Sequence, residues 1–354
     1  MKKLLIVSTT QFGYSTDAYK WCQYLWDRYD ITYICFDSKL ERVELDGVDV
    51  RYISNRGFKL IRGARYLLYV LKFLFSYEGK VIVNYFEKCE ILKWFFPSKR
   101  MILDIRSLAV SEDDEINKKI NRQIERTAVV YDAVSIISEG VKNRINIDDK
   151  KCSILPLGAD VISQSNKTSN GLRLLYVGTL NNRRLDLVFR GLSMYINKTK
   201  DSDVRFTVIG SGCSLVDIDL RKLVNEELNL SEIVDFKGRI VHIKLEPYFA
   251  EANVGVAFVP IKPYYDYQPV TKSYEYIKSG LFTIATNTSA NQQIVVNEVN
   301  GILIDDTAEA FCESLIFVKK HLCNIDKKNI RGTLLGCGWK EIVDKYLVPI
   351  IESV

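Results

Sequence analysis

Short apolar runs recur along this chain, separated by polar stretches long enough for a helix. In the first half they are KLLIVS (3–8), ITYICF (31–36), VDVRYI (48–53), KVIVNY (80–85), RMILDI (100–105) and AVSII (133–137). The second half begins the pattern again with LRLLYVG (172–178), VRFTVIG (204–210), IVDFKG (233–238), VGVAFVP (254–260), FTIAT (282–286) and GILI (301–304). Runs this short and this rich in Val, Ile and Phe predict buried strands of parallel sheets, built from βα units. The segment DVISQSNKTSNG (160–171) is polar, rich in Ser and Asn and without period, and is read as a linker. The pattern thus predicts two doubly wound, Rossmann-like α/β domains, 1–165 and 166–337. An amphipathic C-terminal helix over 338–354 follows, able to pack back on the N-terminal domain. Sheets of this kind bind ligands at the carboxyl ends of their strands, and the cleft between the domains is the expected active site.

Composition narrows the class. The chain has 354 residues, enough for two cores, with 47% hydrophobic and 26% charged residues, a soluble globular balance. A net charge of +5 is mild for this length and gives no case for nucleic acid. Eight cysteines are scattered without a CxxC pair, and with only two histidines no zinc site is expected. Reduced thiols in a cytoplasmic protein are the expectation. The N-terminal MKKLLIVSTTQFGYS lacks a long apolar core and a cleavage site and reads as a first strand rather than a signal peptide. No run supplies the roughly 18 apolar residues of a membrane span.

Three stretches suggest chemistry. In VTKSYEYIKSG (270–280) a helix of about two turns is expected, capped by Thr271 and closed by Gly280. Lys272 at its head opposes the helix dipole, which is unfavourable unless an anion occupies that end. Glu275, one turn on, is placed to accept hydrogen bonds from a ribose diol. In LYVGTLNNRRLDL (175–187) a strand ends at Gly178, and Thr179, Arg183 and Arg184 follow it towards a helix, where a diphosphate can be held. VIGSGCS (208–214) has the strand, Gly210, Gly212 and helix of half a dinucleotide fingerprint. The first βα turn has only Gly13, which disfavours nicotinamide chemistry.

Taken in order, these stretches resemble the group-1 (family 4) retaining glycosyltransferases of the GT-B fold. LDIRSL resembles the family's strand–EVRDLW, AVSIISEGVKNRI its strand–SEG–helix, and ILPLGAD its IPNGVD. LYVGTLNNRR resembles YVGRLxxxKG, VIGSGCS resembles IVGDGP, VDFKGRI resembles V-F-GRV, and ANVGVAFVP resembles ADVFVLPS. TKSYEYIKSGLFTIATNTSANQQIV resembles K-x-x-EYMASGKPVIAT…GGNPEIV. The resemblance implies a nucleotide-sugar donor. Glu275 would hold the ribose, and Lys272 and Arg184 would serve catalysis by stabilising the leaving diphosphate. Gly178, Thr179, Arg183, Gly210, Gly238, Arg239, Thr271 and Tyr267 would line the donor site. Gly13, Tyr14 and Arg106 would form the loop that meets acceptor or phosphate. Two positions depart from the family: Tyr267, with Asp266 beside it, replaces the first Glu of the Glu–seven–Glu motif, and Thr179 replaces the motif Arg. Ser289 and Ala290 stand where the family often has a glycine pair.

The implied reaction is transfer with retention to a glycan or lipid-linked acceptor, as in surface polysaccharide synthesis, with no cofactor and no catalytic metal. Two alternatives are a non-catalytic nucleotide-binding GT-B protein and, against the scarcity of histidine, a nucleotide-sugar epimerase. A last stretch, FKLIRGARYLLYVLKFLFSYEGK (58–80), is read as a helix. Lys59, Arg62, Arg65, Tyr69, Lys72 and Ser76 share one stripe of it beside a broad apolar face. That suits an anionic membrane surface contacted through 58–76; the alternative is a core helix with a solvated stripe.

Overall fold

The structure is a computed structural model and describes residues 1–166 and 170–354. The predicted linker is therefore described only in part, since 167–169 lie outside the described residues. The chain forms two compact units, Met1–Gly158 joined by Gly338–Val354, and Ala159–Cys337.

The first unit holds a parallel seven-stranded sheet. Its strands are β1 (Lys2–Val7), β2 (Tyr29–Asp37), β3 (Val48–Ser54), β4 (Lys80–Asn84), β5 (Met101–Ile105), β6 (Ala133–Ile136) and β7 (Cys152–Ile154), in spatial order β3-β2-β1-β4-β5-β6-β7. The interior strand β5 is buried along its whole length, Asp104 included. β7 was not predicted: three residues give no period to read. The helices between are α1 (Thr16–Leu25), α2 (Lys59–Ser76), α3 (Glu90–Phe95), α4 (Asp114–Val130) and α5 (Glu139–Lys142). Asp113 caps α4 by accepting from the N–H groups of Glu115 and Ile116, and Ser138 caps α5 by accepting from Val141. The C-terminal stretch is helical over Trp339–Ile342, Val343–Leu347 and Val348–Glu352, the middle piece being a π turn. Trp339 is fully buried against Gly158, where a Cβ would stand 2.6 Å from the indole.

The second unit holds a parallel six-stranded sheet: β8 (Leu172–Val177), β9 (Val204–Ile209), β10 (Val234–Gly238), β11 (Val254–Ala257), β12 (Phe282–Thr286) and β13 (Gly301–Ile304), ordered β10-β9-β8-β11-β12-β13. Its helices are α6 (Leu185–Thr199), α7 (Ser214–Lys222), α8 (Glu246–Glu251), α9 (Pro263–Asp266), α10 (Thr271–Lys278), α11 (Ala308–His321) and α12 (Lys327–Gly332). In each sheet the winding reverses once, between β1 and β4 and between β8 and β11, which are the places where such sheets bind ligands.

The boundary shifts from the sequence reading. Residues 159–165 belong to the second unit. The Ser163 hydroxyl bonds Glu246, the Ile162 N–H donates to Ser279 Oγ, and Arg331 donates to the Ser163 and Ser165 carbonyls.

Helix α2 buries only Tyr66, Val70 and Leu74. Leu60, Ile61, Leu68 and Phe75 are exposed, Leu60 at 86% and Phe75 at 82%, and share the open face with Arg65 and Lys72. Most of the apolar surface that the sequence allots to this helix is therefore not in the core. The adjacent α3 exposes Trp94 and Phe95. No helix among the described residues is long and apolar enough to cross a membrane.

Candidate active site

In the second unit, three turns at the carboxyl edge are tied together by glycines. The Gly178 N–H after β8 donates to the Ile209 carbonyl, and the Gly210 N–H after β9 donates to the Gly238 carbonyl. Gly178 has φ 149° and Gly210 φ 146°, a conformation closed to residues with a side chain. A Cβ on Gly210 would stand 1.8 Å from the Gly178 oxygen. These turns can be this close only because both residues are glycine.

Helix α10 is fixed over this edge from below. Tyr276 is fully buried, accepts the Val177 N–H at 2.8 Å, and presses on Gly255 of β11, where a Cβ would come within 2.3 Å of its ring. Ser273 donates to Asn291 Oδ1, whose amide in turn donates to the Thr286 carbonyl. Gly280, at φ 80°, ends the helix. Thr271 does not cap it: Val270 holds the N-cap position and no side chain accepts from the first turn, so Thr271 is the first helical residue. The Ser273 N–H donates to the Val270 carbonyl at 3.0 Å, and no side chain caps the N–H groups of Thr271 and Lys272.

Lys272 is the outstanding feature of that head. It is only 7% exposed, and its Nζ has no hydrogen-bond partner among the described residues. The ammonium lies 3.6 Å from the Tyr176 ring centroid and beside Gly178. Burial, and then the nearby Arg183 guanidinium, hold its pKa well below the ordinary lysine value. A lysine buried near an arginine, with no acidic partner among the described residues, is a site prepared for an anionic ligand that restores its charge.

The two arginines before α6 part company. Asn182 and Arg184 both adopt left-handed backbone, φ 53° and 51°. Arg183 stacks on Tyr265 at 4.6 Å and faces Lys272, whereas Arg184 makes a two-pronged 3.0 Å pair with Asp186. The structure thus brings Arg183, rather than Arg184, to the lysine. Thr179 turns its carbonyl to the Tyr176 hydroxyl at 2.6 Å. Glu275, one turn along α10, is buried and its Oε1 lies 2.8 Å from His242 Nε2. Tyr267 is 8% exposed. The carboxylate of Asp266 beside it accepts from both the N–H and the hydroxyl of Ser289, and its carbonyl accepts the Ala290 N–H. Gly238 closes β10 at φ 70°, and Arg239 after it is exposed.

In the first unit, Gly13 (φ 88°) lets the first loop touch Val43, and the Tyr14 hydroxyl donates to the Glu41 carbonyl. Arg106 is turned inward. It donates to Asp17 at 2.5 Å and to the Leu155 carbonyl at 2.7 Å, and lies 5.6 Å from the Trp21 ring. Next to it Asp104 is fully buried, accepting from Ser135 and Asn84; burial pushes its carboxyl up to about 6. Among the described residues, no three His, Cys, Asp or Glu side chains gather as a metal-holding group. All eight cysteines are free thiols.

Residues 171–320 match the family model of the group 1 glycosyl transferases. Among solved structures, sucrose-phosphate synthase from Thermosynechococcus elongatus aligns with TM-score 0.79 at 15% identity, over 100% of this chain and 99% of that one. HepE of Anabaena, solved with UDP-glucose, aligns with TM-score 0.76 at 12% identity over 100% of both chains. WaaB, a lipopolysaccharide outer core galactosyltransferase, aligns with TM-score 0.63 at 15% identity over 99% of both. Among curated proteins none matches the sequence. The chain thus has the GT-B fold of these glycosyltransferase structures. The stretch that matches the group 1 glycosyl transferase model holds both Lys272 and Glu275.

Proposed function

We propose that this protein transfers a sugar from a nucleoside diphosphate sugar to a glycan or lipid-linked acceptor, with retention, in the assembly of a surface polysaccharide. The observation that carries the reading is the buried Lys272 side-chain nitrogen, without a hydrogen-bond acceptor among the described residues, at the head of α10 and beside Gly178. A diphosphate there gains the lysine, Arg183 and the helix N–H groups together. Glu275, with one oxygen on His242, offers its other oxygen to a ribose hydroxyl.

Loss of the diphosphate leaves an oxocarbenium-like sugar, and stabilising the leaving charge is the protein's main contribution. The leaving phosphate oxygen accepts the acceptor's proton, so the hydroxyl enters on the face the phosphate left. This chemistry uses no catalytic metal and no second carboxylate. UDP sugars are the first donors to test, because HepE was solved with UDP-glucose and a TarM structure contains UDP. We place the protein at the cytoplasmic surface of a membrane, held by the open face of α2.

The deciding experiment is a panel of nucleotide sugars incubated with lipid-linked and free glycan acceptors. Transfer with retained anomeric configuration establishes the reading. Nucleotide binding without transfer or donor hydrolysis assigns a non-catalytic binding protein, and donor isomerisation assigns an epimerase.

A further inference from the structure

A cavity of about 550 Å³ lies wholly within the first unit, at the carboxyl edge of its sheet beside the β1/β4 reversal. Its floor is aromatic: Phe36, Tyr66 and Phe86, with ring centroids 4.5 and 5.6 Å apart in sequence. The Tyr66 hydroxyl is committed to the Ser8 carbonyl at 2.6 Å, so the ring alone serves the cavity. Such a floor suits hydrocarbon.

The wall is α2, and it is open at Gly63. A glycine inside a helix is destabilising relative to alanine. Crowding does not require it, since a Cβ at Gly63 would meet nothing within 4 Å. The space beside it is the cavity.

The rim is cationic. Arg62 has a single 3.3 Å bond to Asn55, and Lys88, held at φ 73°, makes no hydrogen bond or close ion pair among the described residues and feels only the charge of Glu87 beside it. A left-handed backbone at a non-glycine residue is a strain that tends to be kept for function. The one acid at the rim, Glu87, pairs with Lys59 at 2.9 Å. Leu60, on the same turn of α2, continues the apolar surface outward.

We propose that this cavity receives the apolar chain of a phosphate-bearing lipid carrier, the hydrocarbon against Phe36, Tyr66 and Phe86 and the phosphate on Arg62 and Lys88. The inference rests on the glycosyltransferase reading only in treating that lipid as the acceptor's anchor. Its test is a binding measurement without donor or turnover.

Titration with farnesyl phosphate, followed by calorimetry, should show saturable binding. Farnesol should bind about tenfold or more weaker, the loss expected when charged hydrogen bonds are removed, and inorganic phosphate should not saturate. Gly63→Leu fills the space, and should abolish binding while UDP affinity and the melting temperature hold. R62Q combined with K88Q should reduce farnesyl phosphate to the affinity of farnesol, and serves also if G63L fails to fold. Unchanged binding in a folded G63L, or in the double variant, overturns the proposal. So does equal binding of dihexanoyl phosphatidic acid, which would make a bilayer phospholipid the occupant. Failure of UDP to bind, with farnesyl phosphate bound as expected, would count against the donor reading and not against this one.

Discussion

The side-chain nitrogen of Lys272 lies 3.6 Å from the centroid of the Tyr176 ring, with no carboxylate among the described residues bonded to it. Burial and Arg183 depress its pKa, so the empty site disfavours the proton that a bound diphosphate favours. Tyr176 and Tyr265 are the other titratable groups at this cluster. At a pH where the free lysine has lost part of its charge, nucleoside diphosphate binding should therefore take up a proton. Calorimetry in buffers of different ionisation enthalpy should reveal the uptake, and Lys272→Met should remove it. Binding with no proton uptake in the native protein would sink this account. The sign for folding is the reverse. The unfolded lysine holds a proton that the folded one resists, so this group's contribution to stability falls as pH falls.

Glu275 carries the second prediction. Replacing it with Ala should weaken nucleoside diphosphate binding by about 1.5–3 kcal/mol, the range for hydrogen bonds to a charged group. The corresponding nucleobase, which has no ribose, should show no such loss. Equal affinity of the native and E275A proteins for the diphosphate would remove Glu275 from the ribose.

The two adjacent arginines should differ. Arg183 faces Lys272, and Arg183→Ala should lower turnover by roughly 10²–10³, as for loss of one preorganised charge-stabilising group. Arg184 is held by Asp186, and its removal should cost less than about tenfold on the same scale. Steady-state kinetics on the two alanine variants decide it. The reverse order would mean that Arg184 leaves Asp186 when donor binds.

A pH effect on the first unit follows from Asp104, whose carboxyl is pushed up to about 6 by burial. Between its unfolded value near 4 and 6, the folded state keeps a proton that the unfolded state has lost. Its contribution to stability is thus fully present below about pH 4 and declines as pH rises through 6, by up to about 3 kcal/mol. Asp104→Asn should flatten that slope. The Asn84 oxygen is buried without a hydrogen bond, so its amide can turn to accept from the new amide. All four tryptophans lie in the first unit, so urea unfolding followed by their fluorescence reads that unit alone. An unaltered slope in D104N would locate the pH dependence elsewhere.

Attachment through α2 can be separated into charge and insertion. R65E with K72E should release the protein from phosphatidylglycerol-rich vesicles, each cation being worth about 1 kcal/mol near an anionic surface. Phe75→Ser should weaken attachment even at high salt, because its loss is apolar. Native protein that fails to float with such vesicles at low salt would end the membrane assignment.

The strands were legible because each is a short apolar run bounded by polar sequence. Eleven were read within a residue or two of their ends, the run 254–260 overshot β11 by three, and β7 escaped because Cys152–Ile154 has no run to detect. The head of α10 was legible in its residue types, since a lysine at a helix start demands an explanation. Its environment was not. Nothing local predicts that Tyr276 seats on Gly255, or that Glu275 meets His242, 33 positions away. Arg183 and Arg184 are interchangeable as letters, and only the left-handed turn at Arg184 sends one to Asp186 and the other to Lys272. Arg106 entered only through the resemblance, and nothing local shows its bond to Asp17, 89 residues earlier. The exposed face of α2 was half legible: periodicity gave the stripe, but only packing decides which apolar residues go unburied.

The return of Gly338–Val354 to the first unit also sets an order of events during synthesis. Glu352 pairs with Lys2 and accepts from Tyr29, Asp344 pairs with Arg28, and Trp339 fills the space beside Gly158. A ribosome that has passed Gly158 must still make the 179 residues of the second unit before any of these partners exists. At bacterial to eukaryotic translation rates that is roughly ten to thirty-five seconds. Through this interval the nascent first unit presents Gly158 and the outer side of α1 uncovered, while the second unit can finish folding as soon as it emerges. The half of the protein made first is completed last, and its exposed interval is a time during which chaperones have access to it.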